Sequence, residues 1–240
     1  MSEVPLALVT GGAHRLGRAF SLALARQGFA ILLHYHHSEE EAAAAADAIR
    51  ALGMPVYPVQ ADLTSSTNIE SLFSALDALP HPLKVLVNSA AVMPRGDVCT
   101  LSAEDFDTAI ALNLRAPFLC AQEAAKRMED GGLIVNVTDI GAQKAWGGFP
   151  AYTVSKAGLE SLTRILARSL APRIRVNAIA PGLVLPSEYI TEEEWNQLVE
   201  RLPLKRPASV AEIASALEFL LKNEYITGQT IVVDGGYSLL

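Results

Sequence analysis

The 240-residue chain has little of several things. It holds two cysteines, Cys99 and Cys120, neither in a CxxC pair nor near a histidine at metal-ligand spacing. No disulfide framework or metal site is expected from them, only two reduced, partly buried thiols. Charged residues make up 19% and hydrophobic ones 50%, which excludes a disordered chain. Positive charge is short: 19 Lys and Arg face 26 Asp and Glu, for a formal net charge of −7. Such a chain repels a phosphate backbone, so nucleic acid is not an expected partner, while a local pocket for one nucleotide stays open. There is no run of 18 apolar residues and no basic stretch at the start. The expectation is a cytoplasmic protein without a membrane segment or signal peptide. No linker and no repeat divides residues 1–240, which read as one domain.

What is present is alternation. Leu6–Thr10, Ala30–His34, Val56–Gln60, Lys84–Asn88, Leu133–Val137, Arg175–Ile179 and Thr230–Val233 read as strands. Helices are expected over Leu16–Gln27, Ser38–Leu52, Ala103–Arg127, Tyr152–Leu170 and Ser209–Lys222. The strands are continuously apolar, which implies burial on both faces. Strand–helix alternation then predicts an α/β fold, a single-domain, Rossmann-type, doubly wound parallel sheet. The proline-bearing stretch at about 183–207, with a short helix near Thr191–Arg201, reads as a flap over a substrate or as a plain loop.

The first strand runs into Thr10-Gly11-Gly12-Ala13-His14-Arg15-Leu16-Gly17 and then a helix. A glycine turn there lets backbone N–H groups and a helix N-terminus meet a pyrophosphate. At the end of the second strand, an acid would hold the ribose 2′-hydroxyl of NAD. The chain instead reads His34-Tyr35-His36-His37-Ser38. His36, His37, Ser38 and nearby Arg15 can donate to a 2′-phosphate, so NADPH is the expected cofactor. Asp62 either accepts from an adenine amino group or makes a turn. Tyr152 and Lys156 stand one helical turn apart and share a face. An ammonium beside a phenol is expected to lower its pKa and to make the tyrosine a usable acid or base.

These pieces together resemble the short-chain dehydrogenase/reductase family over nearly the whole chain. The resemblance rests on Thr10–Gly17, Ala61-Asp62-Leu63, Leu86-Val87-Asn88-Ser89-Ala90, Asn113, Tyr152–Lys156, Arg175-Val176-Asn177, Pro181-Gly182 and Asp234-Gly235-Gly236. It implies a nicotinamide cofactor held by Gly11, Arg15, Leu16, Gly17, His36, His37, Ser38, Asp62, Leu63, Asn88, Ser89, Ala90, Lys156, Pro181 and Gly182. It also implies Tyr152 as proton donor, Lys156 as its partner, Asn113 in the proton relay, and a homotetramer.

Two departures narrow the substrate. The family usually carries serine thirteen residues before the tyrosine, where this chain has Asp139, and glycine where it has Arg15. Both are similar to the pteridine reductase branch, as are His34-Tyr35-His36 and Asp234-Gly235-Gly236-Tyr237-Ser238-Leu239. A serine hydroxyl donates to a ketone oxygen, whereas a carboxylate accepts from the amino and ring N–H groups of a pterin. Asp139, Tyr152, Arg15 and Met93 are therefore the expected substrate contacts of an NADPH-dependent reductase acting on a C=N bond of a pterin-like ring. Against the branch, Met93 falls where it has a stacking aromatic, and His37 where it favours arginine. Trp146 and Phe149 could line the pocket instead, or belong to the core or a subunit interface. A carbonyl or 3-oxoacyl reductase, or an alcohol dehydrogenase, is the alternative; a non-catalytic NADPH sensor is a third. No metal is expected.

Overall fold

The computed structural model describes residues 4–144, 146–187 and 189–240. Its strands are β1 (Leu6–Thr10), β2 (Ala30–Tyr35), β3 (Val56–Gln60), β4 (Leu83–Asn88), β5 (Gly132–Val137), β6 (Ile174–Pro181) and β7 (Thr230–Val233). They form one seven-stranded sheet in the order β3-β2-β1-β4-β5-β6-β7. Every pairing is parallel. The winding reverses between β1 and β4, which opens a crevice at their carboxyl ends.

Period-two side-chain alternation divides the core into two layers. Ala7 and Val9 of β1 face α1 (Arg15–Arg26), α2 (Glu39–Ala51) and α8 (Val210–Lys222), packing with Phe20, Leu24, Ile49 and Leu217. Leu6 and Leu8 face the other way, toward α3 (Ser66–Asp77), α5 (Ala116–Arg127) and α6 (Pro150–Leu170), with Phe73, Leu72 and Cys120. Both faces are covered, so all five β1 residues are buried. This is why the strands read as unbroken apolar runs.

The helix over Ala103–Arg127 is interrupted. It comprises α4 (Ala103–Ile110), a π-helical turn (Ala111–Arg115) and α5. Helix α3 is absent from the sequence expectations. Its Ser65 cap accepts from Asn68 N–H, and Ile69, Leu72, Phe73 and Leu76 make its buried stripe. After β6 the chain reaches α7 (Glu192–Arg201), closed by a Thr191–Glu194 capping box and burying no residue. No helix among the described residues is long and apolar enough to cross a membrane.

Gly17 shows how closely the first turn packs on α1. A Cβ there would lie 2.0 Å from Gly11 O. Glycine to alanine inside a helix ordinarily gains about 1 kcal/mol. Here the clash is with backbone, which cannot swing aside, and overpacking of about 1–3 kcal/mol reverses the sign. Gly17→Ala is expected to lower the urea midpoint; an unchanged or higher midpoint would show that the turn has slack.

Candidate active site

A cleft of about 2280 Å³ lies over the β1/β4 crevice. Its wall includes Gly11, Arg15, Leu16, Gly17, His36, His37, Ser38, Asp62, Leu63, Ser89, Ala90, Met93, Asp139, Tyr152, Lys156, Pro181 and Gly182. Asn88 and Asn113 do not line it. The Asn88 amide donates to Asn136 Oδ1 at 2.9 Å inside the sheet. The Asn88 side chain therefore joins neighbouring strands, because β4 turns it inward. Asn113 is wholly buried in the π-helical turn. It donates to Val92 O at 2.8 Å and Ser155 Oγ at 3.0 Å, and accepts from Val92 N–H at 2.9 Å. It therefore fastens the loop after β4 to α6, one residue before Lys156. A π-turn at such a junction re-aims one side chain without ending the helix.

At the glycine turn, His14 precedes α1 and makes no side-chain capping bond, so no side chain consumes the first-turn N–H groups. Arg15 holds φ +47°, a left-handed backbone that suits the glycine usual here. Its guanidinium donates to Leu185 O and Pro186 O, both at 3.0 Å. It thus spans the cleft to the segment after β6. His36 and His37 pack with their ring centroids 3.6 Å apart and their planes tilted by 34°. Asp62 Oδ1 accepts from Thr64 N–H at 2.9 Å and Thr64 Oγ1 at 2.7 Å, the turn-forming reading of that residue. These bonds hold its carboxyl below the ordinary range. Glu39, Glu40 and Glu41 are exposed on α2 and lie off the cleft wall.

At the other end, Tyr152 Oη–H donates to Asp139 Oδ2 at 3.0 Å. Asp139 Oδ1 accepts from Gly141 N–H at 2.7 Å. Lys156 Nζ donates to Val137 O at 2.7 Å and lies 5.6 Å from the Tyr152 ring centroid. Met93, Trp146 and Phe149 line the cleft, and so does Tyr237, whose ring lies 6.5 Å from that of Trp146. Tyr237 was legible only within the resemblance near the chain's end. Among the described residues, no group of His, Cys, Asp and Glu is placed to hold a metal ion.

The chain resembles known proteins over nearly its whole length. The sequence family described as enoyl-(acyl carrier protein) reductase matches residues 11–238. The 3-oxoacyl-[acyl-carrier-protein] reductase FabG of Staphylococcus epidermidis is 33% identical, over 96% of this chain and 97% of its own. FolM alternative dihydrofolate reductase 1 from Brucella suis, solved in complex with NADP, is 38% identical with a TM-score of 0.93, covering 98% of this chain and 96% of its own. A blue fluorescent protein from a metagenomic library, in complex with NADPH, is 31% identical with a TM-score of 0.93, covering 98% of both chains. A short-chain dehydrogenase/reductase from Serratia marcescens is 33% identical with a TM-score of 0.93, again covering 98% of both. The chain belongs to the short-chain dehydrogenase/reductase family.

As an oxidoreductase of this family it has an unusual charge arrangement. Burial raises the Asp139 carboxyl to about 6, against the Gly141 and Tyr152 hydrogen bonds and the Lys156 charge. Burial lowers the Lys156 ammonium to about 8. Burial first, then Asp139, holds the Tyr152 phenol well above its ordinary value. That overturns the expectation that Lys156 lowers it: the ammonium is spent on Val137 O, while a carboxylate faces the hydroxyl. Near neutral pH, Tyr152 is a proton-bearing donor and Asp139 is mostly an ionised acceptor.

Asp139 is protonated more readily in the folded chain than unfolded, so its cost is absent below about pH 4 and complete above about pH 6. Two pK units correspond to about 3 kcal/mol, less where cleft water screens the group. Asp139→Asn should therefore raise Tm over the wild type at pH 8, with the gain vanishing near pH 4. Equal melting at pH 8 would contradict the burial account.

Proposed function

We propose that the protein is an NADPH-dependent reductase of a dihydropterin or related ring, acting at a C=N bond. The observation that carries this reading is the Asp139 carboxylate on the cleft wall, 3.0 Å from the Tyr152 hydroxyl. A ketone in that corner would meet one donor, Tyr152, and an acceptor where the serine usual in the family would supply a second. The amino and ring N–H groups of a pterin would find a partner there, and Tyr152 would deliver a proton to the reduced ring.

The cleft's residues suit the cofactor. The α1 N-terminus with Gly11, Leu16 and Gly17 would hold the pyrophosphate. His36, His37 and Ser38 would hold the 2′-phosphate, with no carboxylate among them. Asp62 and Leu63 would flank the adenine; Ser89, Ala90, Pro181, Gly182 and Lys156 would flank the nicotinamide half. Bound there, NADPH supplies the hydride. Arg15 would release the Leu185 and Pro186 carbonyls to reach phosphate or substrate oxygens, which makes the segment at 183–207 a flap. The likeness to FolM alternative dihydrofolate reductase 1, solved with NADP, supports both cofactor and ring. A homotetramer is part of the proposal, supported by exposed Phe118, Val154 and Ile165 on α5 and α6.

A second reading, a carbonyl or 3-oxoacyl reductase, is favoured by the FabG relatives and by Met93 in place of a stacking aromatic. The test is NADPH absorbance with dihydrobiopterin and dihydrofolate, beside ketones and 3-oxoacyl thioesters. Turnover is expected on a pterin, with NADPH preferred over NADH. Tyr152→Phe should lower kcat by about 10²–10⁴. Silence on pterins with turnover on a carbonyl would establish the second reading; cofactor binding without turnover on any substrate would indicate a sensor.

A further inference from the structure

Three strand ends meet at one imidazole. His34 lies near the end of β2, is 2% exposed, and packs beneath the glycine turn. Its Nδ1 lies 3.0 Å from Gly11 N, and its Nε2 lies 2.9 Å from Ala61 O. Gly11 N–H can only donate and Ala61 O can only accept. The neutral ring with its proton on Nε2 is therefore the form that makes both bonds. Gly12 N–H adds a backbone bond to His34 O at 2.8 Å. One side chain thus ties the turn after β1 to the turn after β3, where Asp62 stands. The turn has little tolerance: Gly11 holds φ +62°, and a Cβ there would lie 3.0 Å from Ala90 Cα.

We propose that His34 is a positioning residue for the dinucleotide: as the Nε2–H tautomer it fixes the glycine turn against the Ala61–Asp62 turn and thereby sets cofactor affinity. This rests on the dinucleotide reading of the cleft. Protonation at Nδ1 would place N–H against the Gly11 N–H and release the turn. The charged groups around the ring are Asp62, on the β3 side, which favours the imidazolium, and His36, beyond its own strand, which opposes it. His14 and Arg15 of the glycine turn are exposed. Burial outweighs these and lowers the imidazole to about 4, so the neutral clamp persists at neutral pH.

The test is NADP⁺ titration by calorimetry at pH 7 on the wild type, His34→Leu and His34→Gln, with Tm recorded for each. Gln can accept and donate at once, whereas Leu fills space and does neither. The Leu variant is expected to bind about tenfold more weakly, and the Gln variant close to wild type. In parallel, ¹⁵N NMR should show the Nε2–H tautomer and a His34 pKa about one unit lower with saturating NADP⁺, the same coupling read in protons. A wild type that does not bind NADP⁺ defeats the dinucleotide reading itself. Binding by wild type with a folded Leu variant within twofold overturns the role of His34, even if that variant melts lower. Should the Leu variant not fold, an unchanged His34 pKa on saturation overturns it and a lowered one supports it.

Discussion

A parallel sheet covered by helices on both faces sends every strand out at the same edge. In this chain that constraint gathers Thr10, Tyr35, Gln60, Asn88, Val137 and Pro181, the last residues of six strands, along one rim. Residues far apart in sequence become neighbours there. Thr10 Oγ1 accepts from Ser89 and Ala90 N–H at 3.0 and 3.2 Å, across about eighty residues. The reversal between β1 and β4 holds the rim apart at its centre, and the cleft occupies that gap. Sheet order fixes the cleft's place; loop residues fix its chemistry.

The proposed chemistry turns on placing a carboxylate where it is costly. Asp139 sits beyond β5 beside a phenol, and its burial is offset only in part by Gly141 N–H and Tyr152 Oη–H. A chain selected for stability alone would place a neutral residue there. Perturbed acids in a cleft mark functional sites, because the same desolvation that destabilises the charge strengthens its grip on a donor. Lys156 follows the same logic: its buried ammonium bonds Val137 O and leaves the Tyr152 hydroxyl to Asp139.

Much of this was legible in the sequence, and the rest was not for physical reasons. Apolar runs such as Leu6–Thr10 announce a doubly covered strand because burial on both faces leaves no polar position. Helix α3 lies outside the sequence expectations, although Ile69, Leu72, Phe73 and Leu76 carry helical spacing. Spacing put Tyr152 and Lys156 on one face but could not say where the ammonium points, since Val137 lies on another element. The Asn88 side chain turns into the sheet, toward Asn136, a contact made 48 residues away. Arg15 reaches carbonyls 170 and 171 residues on. The histidines around the end of β2 read alike in sequence, yet His34 is buried and clamped while His36 and His37 are exposed at the cleft.

Under the proposed function, Asp139 selects a ring bearing N–H donors over a carbonyl. Replacing it by serine restores the donor usual in the family and removes the carboxylate, so the most direct measurement is kcat/KM of Asp139→Ser for dihydrobiopterin and for a ketone. The account predicts a fall of about 10²-fold or more on the pterin, because its N–H groups lose their acceptor. Ketone reduction that rises while pterin reduction stays intact would contradict it.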